Sequence, residues 1–188
     1  APVGPVGPVG PVDPAAPWTC QNAAKWDRLT VEQWKTRSTL GKSTRAMVDL
    51  LIRSVWSVEP SEMSMLYFLS YAASAGDVEA LTKVVGGAQQ DRLVGGAQQL
   101  CQRLAEPLGD SVFLNEPVRE IVVTDRRVEV ACRTLTVGCR RVVVALSPML
   151  SSRIAFSPAL PPRRDQMAQR MPMGATIKCL ALYDRPFW

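Results

Sequence analysis

Residues 175–183 (ATIKCLALY) set a single lysine, Lys178, in an otherwise apolar run. As a strand, this run places Lys178 on one face with Thr176, Leu180 and Leu182, and Ile177, Cys179 and Ala181 on the other. Both faces are largely apolar. The ammonium therefore either snorkels to an edge or stands in a cavity that uses it, and burial without a partner would drive its pKa down. Other candidates for chemistry are weaker. The pairs Gly86-Gly87 and Gly95-Gly96 match neither GxGxxG nor GxxxxGK[ST] and read as turns, although the second pair runs into a helix and could offer amides to an anion. Asp91-Arg92 reads as a surface ion pair. Glu59 and Glu62 read as carboxylates serving a helix dipole.

Whole classes of site fall away on residue type. The 188 residues include no histidine. Ser-His and Cys-His nucleophiles, histidine bases and histidine-containing metal sites are excluded, and no metal is expected. Cys20, Cys101, Cys132, Cys139 and Cys179 form no CxxC and no zinc spacing, and their number is odd. That favours free thiols and an intracellular setting, although Cys132 and Cys139 could meet across a hairpin. The net charge of +5 is thinly spread, with Arg140-Arg141 and Arg163-Arg164 as its clusters. Without a basic stripe interleaved with aromatics, nucleic acid is not an expected partner. Apolar residues make up 47% and charged residues 21%, a folded-protein balance, and no run reaches the roughly 18 apolar residues of a membrane span.

The elements that must position these residues change character along the chain. Residues 1–17 open with three PVG triplets and read as an extended, flexible lead-in. Asp27 is placed to cap a turn. Thr30 with Gln33 has the form of a capping box opening a helix. Residues 43–57 set Met47, Leu50, Leu51, Ser54 and Val55 on helical spacing, and Ser61 and Ser64 precede a helix that ends near Gly76. Residues 97–108 predict a further helix with Leu100, Leu104 and Ala105 inward. The sequence VGGAQQ occurs at 85–90 and 94–99; the second copy reads as a turn into that helix, the first has no assignment. Trp18, Trp26, Trp34 and Trp56 read as packing anchors.

Beyond Gly109 the pattern turns to strands: 117–123, a hairpin of 128–132 with 134–137, and a fully buried strand over 141–146 (RVVVAL). A short helix over 164–170 and a last strand over 175–183 follow. The chain begins with Ala and ends abruptly on an apolar aromatic pair, which points to a piece of a longer protein.

Five segments carry a family likeness: WDRLTVEQW (26–34), SEMSMLYFLSY (61–71), QQDRLVGGAQQL (89–100), PVREI (117–121) and above all MPMGATIKCLALYDRPFW (171–188). Together they resemble the flavin-containing amine oxidases, the monoamine oxidase family, from about Trp18 to Trp188. The resemblance implies an α+β or α/β fragment: a helical and mixed-sheet substrate domain plus a few strands of an FAD-binding, Rossmann-like domain. Residues 18–115 would form the mainly helical part of the substrate domain and 116–148 the FAD-domain strands. Residues 149–188 would return to the substrate domain and end at a truncated strand.

It also implies roles. Lys178 falls on the family lysine that holds a water near flavin N5. Gln89 falls on a glutamine of the substrate cavity, and Leu51, Ser54, Val55, Leu81 and Thr82 on positions lining the substrate path. Thr82 departs from the aliphatic residue of the mammalian enzymes, so their substrate preferences do not carry over. Val118 falls on the residue whose backbone contacts the adenine side of FAD, and Ala145 on a strand end that approaches the same cofactor. The implied reaction is FAD-dependent oxidative deamination of primary amines or polyamines by oxygen, giving aldehyde, ammonia and hydrogen peroxide, with a homodimer for the intact protein.

The family's GxGxxG turn, its aromatic cage and the flavin-bonding cysteine of some members have no counterpart here. The isolated chain is therefore expected to hold FAD weakly or not at all and to be inactive. The alternative is a non-catalytic, truncated product that serves as a binding or interaction module. Between the cytoplasm and the mitochondrial outer membrane the sequence makes no choice.

Overall fold

The computed structural model describes residues 12–38 and 41–187. Most of the PVG tract therefore lies outside the described residues. Where its end enters view, Val12 is buried in a helical core rather than extended in a lead-in. The chain divides into two compact units, Ala1–Val94 with Gly174–Trp188, and Gly95–Met173.

The first unit is built on helices α1 (Ala23–Asp27), α2 (Val31–Ser38), α3 (Lys42–Trp56), α4 (Met65–Ser74) and α5 (Val78–Thr82). Local chemistry starts several of them. The Gln33 N–H donates to Thr30 Oγ1 and the Thr30 N–H to Gln33 Oε1, each at 3.1 Å, the reciprocal box expected of that spacing. Ser64 caps α4 through the Tyr67 N–H, and Asp77 caps α5 through the Ala80 N–H at 2.7 Å. Among the described residues Asp27 caps no turn or helix; it is the last residue of α1. The Val31 N–H donates to the Met63 carbonyl and the Met65 N–H to the Leu29 carbonyl, so the starts of α2 and α4 are stitched together.

Val31, Ile52, Met63, Met65, Leu66, Phe68 and Leu69 form the core of this unit. Trp26, Trp34 and Trp56 pack against it as anchors, whereas Trp18 is 71% exposed. The α3 face differs from expectation. Val48, Leu51, Ile52 and Trp56 turn toward the core, and Met47, Leu50 and Ser54 are exposed. Apolar residues nearly encircle α3, so spacing alone leaves its rotation open. An ion pair sets it: Asp49 meets Lys35 of α2, whose ammonium also pairs with Glu32.

In the second unit, strands β1 (Glu120–Val123), β2 (Val128–Ala131), β3 (Thr136–Cys139) and β4 (Ala155–Ser157) form a sheet ordered β3-β2-β1-β4. The β1–β2 and β2–β3 pairs are antiparallel, and β1 pairs with β4 in parallel. Ile121, Val128, Val130 and Ile154 form its core. Helices α6 (Gln98–Ala105), α7 (Pro148–Ser151) and α8 (Pro162–Gln169) belong to this unit. The third strand starts two residues later than expected. Glu116 accepts from both the N–H and the hydroxyl of Thr134 and so holds that residue in the turn.

Four further expectations are corrected. Leu100 and Leu104 of α6 are exposed, and Ala105 is half-buried; among the described residues of its unit, the element α6 packs on is the 3-10 turn Glu106–Ser111. Residues 141–146 form no strand. Val144 alone reaches the core, Val143 is 89% exposed, and no backbone hydrogen bond among the described residues reaches the segment. Residues 175–183 likewise run as an irregular, exposed segment. A strand needs a neighbour for its ladder, and neither segment has one among the described residues. Cys132 and Cys139 do not meet across the hairpin. Cys139 lies opposite Val128, at the far end of the ladder from Cys132, and both thiols are free.

Candidate functional site

The residues singled out in the sequence fall into two groups, one in each unit. Leu51, Ser54 and Val55 lie along the C-terminal half of α3, with Leu51 and Val55 half-buried and Ser54 exposed. Leu81 and Thr82 end α5, which packs on both α3 and α4. Leu81 is buried. Thr82 is exposed, and its hydroxyl donates to the Glu79 carbonyl at 3.1 Å.

The first VGGAQQ copy, unassigned from sequence, wraps the end of α5. The Ala88 N–H donates to the Ala80 carbonyl at 2.9 Å and the Gln89 N–H to the Lys83 carbonyl at 3.2 Å. Two carbonyls at the helix end gain donors, and Gln89 is fixed at a set offset from Thr82. Its side chain is exposed. The second copy does as expected: Gly95 and Gly96 turn with φ of +81° and +89° into α6.

Lys178 stands exposed on the irregular segment, not in an apolar strand. That segment is nevertheless tied to α3. The Ala175 N–H donates to the Ser57 carbonyl at 3.0 Å, one residue beyond the helix, and Ser57 itself takes φ of +58° as its C-cap. One unit thus carries Leu51, Ser54, Val55, Leu81, Thr82, Gln89 and Lys178 on two packed helices and two segments bonded to their ends.

The same unit holds a buried cation, Lys35, only 5% exposed and paired with Asp49 of α3. Burial pulls its pKa down, but hydrogen bonds and charge from Asp49 and Glu32 outweigh that, and the net direction is upward from the ordinary lysine value. The pair locks α2 to α3 at Asp49, two residues before Leu51. Nothing in the sequence pattern marks Lys35 as buried; its spacing to Glu32 alone suggests a surface pair.

Val118 and Ala145 belong to the second unit. The Val118 side chain packs on the same core as Val144, the neighbour of Ala145. On either side of Arg119 the sheet takes up the backbone: its N–H donates to Ala131 and its carbonyl accepts from Ala155. Among the described residues no backbone hydrogen bond engages the N–H or carbonyl of Val118. A side chain held in the core with its peptide groups free fits a residue that meets a cofactor through its backbone.

With this geometry in view, the comparisons with known proteins are direct. Residues 11–188 match the family model described as flavin containing amine oxidoreductase. The chain belongs to that family. It is 40% identical over 174 residues to the probable flavin-containing monoamine oxidase A of Dictyostelium discoideum, covering 92% of this chain and 38% of that protein. Among solved structures it is similar to wild-type putrescine oxidase bound to putrescine, at 32% identity and a TM-score of 0.78. It is also similar to the cyclohexylamine oxidase of Brevibacterium oxydans, at 29% identity and a TM-score of 0.80. Each of these two covers 86% of this chain and 36% of the solved one. The mixed α/β architecture with its four-stranded sheet is thus part of an amine-oxidase fold, and the chain spans a little over a third of these relatives. No helix among the described residues is long and apolar enough to cross a membrane.

Proposed function

We propose that the intact protein carrying this chain is an FAD-dependent oxidase of primary amines or polyamines. The amine R–CH2–NH2 gives up two electrons and two protons to become an imine, and oxygen takes up both to become hydrogen peroxide. Water then splits the imine into an aldehyde and ammonia. When bound, FAD supplies the two-electron relay between amine and oxygen, chemistry no side chain of this chain offers. The observation that carries the reading is the family match, which spans every candidate residue.

The chain's own groups do the binding and orienting. Leu51, Val55 and Leu81 offer apolar walls for the carbon skeleton, which excludes water. Ser54, Thr82 and Gln89 add polar groups that fix its orientation. The Lys178 ammonium donates to a water and holds it beside the reacting atoms. Val118 would hold FAD through its free peptide groups, with Ala145 on the adjoining segment. By itself the 188-residue chain is proposed to be inactive, a reading supported by the exposed Val143, Leu180 and Leu182 and by the lack of a GxGxxG cradle in its sequence. An intracellular location is part of the same proposal, supported by the free thiols of Cys132 and Cys139.

Two measurements test this. Purified intact protein, its flavin identified after acid release, is expected to release FAD and to form hydrogen peroxide when given putrescine or cyclohexylamine. Release of a different flavin, or no amine-dependent peroxide, overturns the reading. The isolated 188-residue chain incubated with FAD is expected to leave gel filtration without flavin absorbance; stoichiometric flavin would overturn the inactivity proposed for it.

A further inference from the structure

Gly87 makes the tightest approach to backbone of any glycine among the described residues. A β-carbon there would lie 2.6 Å from the Lys83 carbonyl oxygen and 2.8 Å from the Ala80 carbonyl oxygen, besides 2.5 Å from the Lys83 β-carbon. These atoms belong to the end of α5 and cannot rotate aside. Gly87 does not occupy the left-handed region, so space rather than conformational freedom demands glycine here. Gly96, its counterpart in the second VGGAQQ copy, is the reverse case: φ is +89° and nothing lies within 4 Å of its would-be β-carbon. The same six residues therefore meet two different requirements, and only the first copy folds back onto a helix. The Gly86 N–H closes that fold by donating to Gln90 Oε1 at 2.6 Å.

We propose that Gly87 is a positioning residue for amine recognition. By letting residues 85–90 lie against α5, it holds Gln89 at a fixed offset from Leu81 and Thr82. The inference rests on the reading of Gln89 as a substrate-binding residue. A side chain at position 87 would lift the segment off the helix end, break the Ala88 and Gln89 backbone bonds, and move the Gln89 amide relative to Thr82.

The test uses the intact, flavin-loaded protein with putrescine and cyclohexylamine, and rates are expressed per bound flavin. Gly87→Ala is expected to raise KM for the amine about tenfold with little change in kcat, since a misplaced orienting group weakens positioning. The kcat/KM for oxygen should stay unchanged. Gln89→Ala should act in the same direction, and Gly87→Ala added to it should cost less than about twofold more, because the two act through one contact. Gln90→Ala loosens the same segment without crowding and should also raise KM, which keeps the test open if Gly87→Ala does not fold. Gly138→Ala, with open space around it, should leave both parameters unchanged. An unchanged KM in Gly87→Ala, or in Gln90→Ala where the former does not fold, beside a raised KM in Gln89→Ala overturns the inference and leaves the reading of Gln89 standing. An unchanged KM in Gln89→Ala, or no turnover of either amine by the wild type, overturns both.

Discussion

Gly174 lies against Ser57 so closely that a β-carbon on the glycine would sit 3.0 Å from both the Ser57 β-carbon and its carbonyl oxygen, and 3.1 Å from the Trp56 carbonyl oxygen. The next residue, Ala175, donates its N–H to that same Ser57 carbonyl. Residues separated by more than a hundred positions thus form one joint, with the end of α3 on one side and the segment carrying Lys178 on the other. The neighbours could accommodate a methyl group only by giving way a few tenths of an ångström. Gly174→Ala is expected to destabilise the helical unit by about 1–3 kcal/mol, as overpacking does. Urea unfolding followed by tryptophan fluorescence measures it, since Trp56 borders the joint. A midpoint equal to that of the wild type would mean the joint yields freely.

The Lys35–Asp49 pair offers a second prediction. Lys35→Met strands the Asp49 carboxylate, which is about one-quarter exposed, against α2 and should cost about 2–4 kcal/mol, less than a fully dry pair. Lys35→Met with Asp49→Leu should recover most of that, because an apolar pair of similar volume needs no charge partner. The pH dependence has a definite sign. The folded-state pKa of Lys35 is raised, so its contribution is complete below the ordinary lysine pKa and is lost as pH climbs through the raised value. Urea midpoints of wild type and Lys35→Met should therefore converge in strongly alkaline solution. A gap that persists there would assign the effect to packing rather than charge.

Glu116 gives the acid counterpart. Hydrogen bonds from the Thr134 hydroxyl and then from its backbone N–H hold the Glu116 carboxyl below the usual glutamate range. The contribution of this carboxylate to the β2–β3 turn is present above the ordinary glutamate pKa and is lost as pH falls through the depressed one. Carbon-detected titration of Glu116 should show the low midpoint, with faster exchange of the Thr134 amide setting in over the same pH range. Glu116→Gln should give that fast exchange at neutral pH. A titration at the ordinary value would remove the turn from Glu116's control.

What could be read in advance, and what could not, follows the range of each interaction. The Thr30–Gln33 box and the Ser64 cap span three residues, so the chain spells them out locally, and the helices they open were legible. The β2–β3 hairpin was legible for the same reason, but its start was not, because Glu116 lies eighteen residues from Thr134. The rotation of α3 was hidden because Lys35, fourteen residues from Asp49, decides which apolar stripe turns inward. Strands over 141–146 and 175–183 rest on apolar runs, and an apolar run is silent on whether a neighbour exists to pair with. Leu51, Ser54, Thr82 and Gln89 have no pattern that singles them out; family resemblance nominated them, and packing of α3 on α5 gathers them into one unit. Gly87 was invisible because a glycine pair reads as a turn whether the chain needs freedom there or space.

Lys178 is the residue on which the proposed chemistry turns most sharply. It is exposed on a segment whose other side chains, Ile177, Leu180 and Leu182 among them, are nearly all apolar. Its neighbours would leave a methionine as comfortable as a lysine, so Lys178→Met removes the cation with little change in volume or burial. In the intact protein this variant should keep its FAD and its melting temperature. Oxygen consumption per bound flavin should fall by about 100-fold, the lower end of what a positioned proton-handling group contributes. Stopped-flow measurement of the two half-reactions then separates the step at fault, by mixing anaerobic enzyme with amine and pre-reduced enzyme with oxygen. A slowed oxygen half-reaction with normal amine binding is the expected pattern for an ammonium that holds a water beside the reacting atoms. Turnover equal to the wild type in both half-reactions would remove Lys178 from the site, while leaving the Gly174–Ser57 joint and the packing of α3 on α5 as they stand.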